Sequence, residues 1–272
     1  MDDLTLVRRL AGQVRDAAVA CVEGDRDYAD VVRRRPRDVT RKVDMAAERA
    51  LDAALAETGV AARVISEEIG ERLVPAGCAP ECTLLLDPVD GSNNAAAGIP
   101  YYCTALALSR VGEGATFADL EAAAVAGACC GTFSAARGRG AYLGDAKIVR
   151  KRREGKPVYA IYSYGAGAMP GGLLALEADE GCIVRTMGSI ALDICMVARG
   201  AFDAVVDTRS RVSGYDFMAA ALILREAGGL IRRMDGQDIG RLPLNASGVS
   251  IVATTNEGLM DRLLTVVNMK KF

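Results

Sequence analysis

The feature that most constrains this chain is a short apolar run, Thr83-Leu84-Leu85-Leu86, that passes without a break into Asp87-Pro88-Val89-Asp90-Gly91-Ser92. Consecutive leucines ending at acidic and turn-forming residues read as a buried strand. Such a strand needs covering layers, so the chain must build a layered fold around it. The strand ends by delivering two carboxylates, three residues apart, onto a turn shaped by Pro88 and Gly91. Gly91 permits close backbone approach, and the amides of Gly91 and Ser92 suit a phosphate where the chain turns towards a helix. Clustered carboxylates repel unless a cation lies between them, and hard oxygen ligands suit Mg²⁺ better than a soft metal. A solvated acidic turn fits the same residues, so the segment alone leaves both readings open.

Composition narrows the chemistry. None of the 272 residues is histidine, which removes Ser-His-Asp and Cys-His nucleophile pairs, His-ligated zinc and imidazole bases. Catalysis must then rest on carboxylates, hydroxyls, thiols, Lys, Arg and bound metal. A net charge of −2 provides no global field for nucleic acid or an acidic membrane. Most of the eight cysteines sit in apolar runs such as Val125-Ala126-Gly127-Ala128-Cys129-Cys130, where free Cys acts as a small hydrophobe. Cys78-x-x-x-Cys82 has no second pair to complete a metal site and reads as ordinary thiols. No secretory signal is read, and no apolar run approaches the roughly 20 residues that span a bilayer. The expectation is a cytoplasmic protein.

Periodicity then gives the order of elements. Apolar residues at helical spacing predict helices over 7–21 and 44–57, separated by a basic stretch at 31–38 that reads as a loop or short hairpin. Short strands are predicted at 64–65 and 83–86, and a meander over 101–111, 122–130 and 131–135 with a further strand near 138–144. The basic run 147–156 reads as a solvated hinge between a first half, 1–150, and a second, 151–272. In the second half strands at 158–162, 182–185, 202–206, 230–233 and 249–254 alternate with helices at 171–178, 189–199, 215–227 and 257–267, the last capped by Asn256. The class expected is mixed: α+β in the first half and α/β in the second.

Other acidic residues bear on the turn. Glu67-Glu68 follows the strand at Val64-Ile65, Asp44 opens the second helix, and Asp216 opens an apolar helix in Gly214-Tyr215-Asp216-Phe217-Met218-Ala219-Ala220. Singly, Asp44 and Asp216 read as helix-start carboxylates stabilised by the helix dipole. In this order, however, Glu67-Glu68, Asp87-Pro88-Val89-Asp90-Gly91-Ser92, Gly188-Ser189-Ile190-Ala191 and Tyr215-Asp216-Phe217-Met218-Ala219-Ala220 resemble the successive signatures of the inositol monophosphatase superfamily. Asn94, Gly98-Ile99-Pro100 and Arg139-Gly140-Ala141-Tyr142-Leu143 add secondary matches. The wording Ile65-Ser66-Glu67-Glu68-Ile69-Gly70 and Ala227-Gly228-Gly229 is most similar to archaeal enzymes active on both inositol monophosphate and fructose 1,6-bisphosphate.

The resemblance implies a layered αβαβα sandwich, with the first half carrying most metal ligands and the second the substrate-binding segments and Asp216. It implies a Mg²⁺-dependent phosphomonoesterase acting on sugar or polyol phosphates, with two or three Mg²⁺ per site, as a homodimer. Carried over by residue, Glu67, Asp87 and the Val89 carbonyl would hold one ion, and Asp87, Asp90 and Asp216 a second. Asp44 and Ser92 would orient and deprotonate the attacking water, while Gly91 and Ser92 amides meet the phosphoryl charge.

For substrate, Gly188, Ser189 and Ile190 match the segment whose backbone faces the sugar, and Asp207 stands near the place of an acid that binds a ring hydroxyl. Tyr162, Tyr164 and Arg185 are candidates for a distal phosphate, although packing at a strand end accounts equally for the tyrosines. Arg33, Arg34, Arg35 and Lys42 lie on or near the loop that closes over the metals in relatives; a solvated loop is the simpler reading. Tyr215 replaces a usual Trp, Ser92 a usual Thr, and Asn93 a usual aromatic, changes that bear on substrate rather than on metal chemistry. The competing readings are a nucleotide phosphatase, which the absence of Trp disfavours, and a non-catalytic regulator, which would have no need of Glu67, Asp87, Asp90 and Asp216.

Overall fold

The computed structural model describes residues 1–35, 38–150, 154–163 and 181–268. The predicted helix at 171–178, Tyr164, and part of the basic run 147–156 lie outside the described residues.

An eight-stranded sheet has the order β10-β9-β8-β7-β6-β5-β3-β4. Its centre is β5 (Cys82–Asp90), which pairs parallel to β3 (Ala62–Ser66) and antiparallel to β6 (Cys103–Ser109). Outward from β6 run β7 (Leu120–Gly127), β8 (Gly131–Ala136), β9 (Gly140–Leu143) and β10 (Ala146–Lys147); β4 (Gly70–Val74) closes the other edge. A five-stranded sheet has the order β12-β11-β13-β15-β14: Ile183–Arg185, Val158–Tyr162, Ala204–Val212, Val249–Thr254 and Leu230–Arg233. The basic stretch forms a hairpin, β1 (Val31–Arg35) with β2 (Asp38–Arg41).

Strand alternation explains the layers. Leu84, Leu86, Leu106 and Leu108 point to one face of the large sheet, where they pack with α1 (Asp3–Gly24) and α2 (Lys42–Thr58). Leu85, Ala105, Ala107, Ala123 and Ala135 point to the other. That face is dominated by alanine, and the small side chains let α4 (Ile190–Arg199) and α5 (Gly214–Glu226) lie against the strands. The same two helices are covered on their far side by Ala160, Val205, Ile251 and Ala253 of the small sheet. Tyr159, Ile161, Val206 and Val252 then face α6 (Glu257–Asn268) through Met260 and Leu263. The result is the expected αβαβα sandwich.

Local signals account for the boundaries. Gly59 ends α2 and Gly200 ends α4, both in the left-handed conformation. Asn256 Oδ1 accepts the Leu259 N–H at the start of α6. One boundary differs from expectation: β5 continues through Asp90, so the turn comes at Gly91 rather than at Asp87. No helix among the described residues is long and apolar enough to cross a membrane.

Candidate active site

The extension of β5 decides where its carboxylates point. Residues three apart in a regular strand face opposite ways. Here Asp87 pairs with Ala105 and Asp90 with Cys103, so Pro88 and Val89 together oppose Thr104 alone. This bulge turns Asp90 back to the side of Asp87, towards α4 and α5. Asp87 Oδ1 accepts the Val89 N–H at 3.1 Å, and the Pro88 carbonyl accepts from Thr104 Oγ1 at 2.8 Å.

Three carboxylates converge there. Glu67 follows β3, placed by its N–H donating to Leu86 O. Asp216 lies in the first turn of α5, where its Oδ2 accepts the Ser213 N–H at 2.6 Å. Oxygens of Glu67, Asp87 and Asp216 all lie within 4.8 Å of one another. Asp216 is thus both a capping residue and a member of the cluster, so the two readings of its sequence position coincide.

The electrostatic cost is large. Burial, then the charges of Glu67, Asp90 and Asp216, push the Asp87 carboxyl well above its ordinary range. Burial lifts Asp216 to about 8, opposed by the Ser213 N–H and by Arg209. An all-oxygen donor set this acidic and this close fits a hard divalent cation, whose charge removes the repulsion.

Asp90 is engaged differently. Its Oδ2 accepts from Ser189 Oγ and the Ala191 N–H, both at 2.7 Å, and its Oδ1 from the Ile190 N–H at 3.3 Å. It therefore caps α4 from another sheet, and it stands outside the close cluster of Glu67, Asp87 and Asp216. Burial raises it to about 6 against these hydrogen bonds.

The cluster opens into a cavity of about 620 Å³, whose wall also includes Val89, Gly91, Ser92, Gly188 and Ile190. Gly91 has φ +95°, and a Cβ there would come within 3.1 Å of Tyr101 O. It starts α3 (Ser92–Ala96). Asn94 Nδ2 donates to Tyr101 O and to Met187 O, both at 2.7 Å, tying α3 to the segment before α4. Ser189 is fully buried under Asp90 and is not part of the wall.

The other expected residues are engaged with neighbours. Asp44 is buried in the first turn of α2, its Oδ2 accepting the Arg41 N–H at 2.7 Å. Arg185 is exposed, away from the cavity, and donates to Val184 O. Asp207 is buried off the wall, and its carboxylate is taken by Arg209. Tyr162 does line the cavity, but its hydroxyl donates to Asp193 at 2.6 Å rather than facing outward.

Of three arginines on the wall, Arg35 was named with the basic loop, and Arg209 and Arg211 escaped the sequence reading. Arg35 donates to Glu67 O at 2.7 Å and pairs with Glu68 at 3.0 Å, so that part of the basic stretch is anchored rather than solvated. Arg209 and Arg211 follow Asp207 on the cavity side of β13, in a bulge at 208–211 where the pairing with β15 is interrupted. Asp193 was missed as well, although an aspartate inside the otherwise apolar α4 was the available signal.

Comparison with known proteins agrees with this geometry. The sequence profile of the Inositol monophosphatase family matches residues 3–270. A fructose-1,6-bisphosphatase of Pyrococcus furiosus is 32% identical over 90% of both chains. A fructose-1,6-bisphosphatase/inositol-1-monophosphatase of Thermococcus kodakarensis is 33% identical over 84% of this chain and 82% of that one. A solved Pyrococcus horikoshii structure, described as having similarities to inositol-1 monophosphatase, superposes with TM-score 0.76 at 28% identity, covering 98% of this chain and 96% of that one. The layers, the acidic cluster and the profile meet in one conclusion: the chain belongs to the inositol monophosphatase family.

Proposed function

We propose that this phosphatase hydrolyses sugar or polyol phosphates, inositol 1-phosphate and fructose 1,6-bisphosphate among them, with Mg²⁺ held by its acidic cluster. The observation that carries the reading is the convergence of Glu67, Asp87 and Asp216 beside Gly91 and Ser92 in one cavity. In this reading Glu67, Asp87 and Asp216 hold two ions, with the Val89 carbonyl and Asp90 beside them. When bound, Mg²⁺ supplies Lewis-acid charge and lowers the pKa of water. The Gly91 and Ser92 amides receive the phosphoryl oxygens at the start of α3, a preorganised electrostatic contribution. The Ser92 hydroxyl orients the attacking water, and Asp44 receives its proton. Support for that pairing comes from Arg41, which joins Asp44 through its N–H and reaches Asn93 Oδ1 through Nη2 at 3.2 Å. Gly188 and Ile190 present backbone to the sugar. The first half carries the ligands Glu67, Asp87 and Asp90, the second Asp216.

None of the eight cysteines is joined in a disulfide, which supports a reducing, cytoplasmic setting. A nucleotide substrate has one observation in its favour: a bifunctional NADP phosphatase/NAD kinase of Methanococcus maripaludis is 29% identical over 84% of this chain and 42% of that one. The test is phosphate release with Mg²⁺ from inositol 1-phosphate, fructose 1,6-bisphosphate and NADP. EDTA and Asp87→Asn serve as controls. Release from the sugar esters that both controls abolish is expected. Release from NADP alone would transfer the same chemistry to a nucleotide, and no release from any ester would refute the phosphatase.

A further inference from the structure

The cysteine pair that ends the run Val125 to Cys130 does not stay in the apolar interior that its sequence suggests. β7 ends at Gly127 and β8 begins at Gly131, and these two pair across the hairpin, which leaves Ala128, Cys129 and Cys130 as its turn. Cys129 is exposed there, while Cys130 is half-buried against the core between the sheets. The turn is pinned by the Ala128 N–H, which donates to Tyr102 O at 2.9 Å. Both sulfurs are thereby held together, 3.4 Å apart and in hydrogen-bond contact.

A disulfide is the poorer outcome for such a pair. Adjacent Cα atoms lie about 3.8 Å apart across a trans peptide, short of the roughly 4.4–6.8 Å over which disulfides usually close. Sulfurs 3.4 Å apart are placed instead to share one bridging atom. With bonds of about 2.3 Å, the length zinc takes to sulfur, that atom would see the two sulfurs at an angle of about 95°. The angle is narrower than a tetrahedral one and close to the pyramidal angle of trivalent arsenic.

Two further observations separate an arsenical from a divalent metal. A thiolate metal site wants four ligands. Among the described residues, the group of three or more cysteines or carboxylates able to hold an ion is Glu67, Asp87 and Asp216, so the pair has no third ligand beside it. An arsenical bound to two sulfurs keeps its own third substituent and needs none. Burial, then the hydrogen bond with Cys129, push the Cys130 thiol up to about 11, so a metal would have to displace a firmly held proton. Trivalent arsenic avoids that cost: each S–H proton leaves with an arsenic-bound hydroxyl as water, two As–S bonds replace two As–O bonds, and arsenic stays trivalent. We propose that Cys129 and Cys130 form a chelating site for one trivalent arsenical, arsenous acid or its monosubstituted relatives. Of the other cysteines, Cys82, Cys103, Cys182 and Cys195 are buried, while Cys21 lies on α1 and Cys78 in the loop after β4.

The site does not depend on the hydrolytic reading, and its failure would leave that reading untouched. The probe is phenylarsine oxide, which is hydrated in solution to a dihydroxy form. Native mass spectrometry of the reduced protein should show one phenylarsenic group gained and two hydrogens lost per chain, and digestion should place it on the peptide that holds Cys129 and Cys130. 2,3-Dimercaptopropanol should strip the probe, whereas 2-mercaptoethanol at equal thiol concentration should not. Cys129→Ser removes one arm of the chelate at an exposed turn position and should weaken retention by about tenfold or more. Cys21→Ser should change it less than twofold. Retention unaltered in Cys129→Ser, a probe mapped to other cysteines, or no retention by the wild type would each overturn the site. Equilibrium dialysis with Zn²⁺ provides the last arm. Equal zinc retention by wild type and Cys129→Ser is expected, and a loss of zinc in the variant would make the pair a metal thiolate site and overturn the arsenical assignment.

Discussion

Asp193 is fully buried, and two phenols, Tyr101 and Tyr162, donate to its two oxygens. Burial pushes its carboxyl up to about 7, against the lowering effect of those hydrogen bonds. The folded chain therefore keeps a proton that the unfolded chain gives up near pH 4, and stability falls as pH rises from about 4 to about 7. Urea titrations at pH 4.5 and 7.5 should find Asp193→Asn gaining roughly 2–4 kcal/mol relative to wild type over that interval; a pH-independent difference would be evidence against the assignment. Burial, and then the like charges around it, also destabilise the Asp87 carboxylate. Asp87→Asn should accordingly melt at a higher temperature than wild type in EDTA while losing most turnover. The arginines show where residue-level legibility stops. Asp207 was visible as an acid near a sugar-binding position, but its neighbour two residues on lies on the same strand face and claims it. Only the fold reveals that Arg209, rather than Asp207, meets the cavity.

Elements carry the site through backbone contacts that tolerate little added volume. Gly214 opens α5, and a Cβ there would lie 2.0 Å from Leu244 O. Gly214→Ala must shift the first turn that holds Asp216, and a stability loss of about 2–4 kcal/mol with reduced turnover is expected. Gly188 has φ +89°, and its Cβ would sit 2.8 Å from Asn94 Nδ2. Gly188→Ala should loosen the tie between α3 and the segment before α4, seen as lowered turnover and a stability loss of about 1–3 kcal/mol. Such elements were legible where periodicity was strong. The strands at 158–162, 230–233 and 249–254 stand where the apolar runs put them. The bulge at Pro88-Val89 was not, because Pro and Gly together read as a turn, while pairing with β6 keeps the backbone extended to Asp90.

At the scale of the molecule, the cluster joins parts that share little chain. Asp87 lies in the large sheet and Glu67 directly follows one of its strands, while Asp216 rides on a helix wedged between the two sheets. A cation bound by all three stabilises only the assembled state. Melting temperature should thus rise with Mg²⁺ concentration, and Asp216→Asn should flatten that rise; an unchanged slope in the variant would remove Asp216 from the ligand set. The layer order was implied by the family resemblance, but the closeness of the helices was not legible, since it depends on alanines of three strands meeting on one face. The bulge at 208–211 has a different consequence, for descent rather than for folding. Positions 210 and 211 are exposed, and the ladder is already interrupted there. A new side chain at Arg211 opens no core cavity and costs within about 0.5 kcal/mol. Glu67, Asp87 and Asp216, packed within 4.8 Å of one another, have no such freedom, so a lineage can vary this rim of the cavity while the acidic cluster stays fixed.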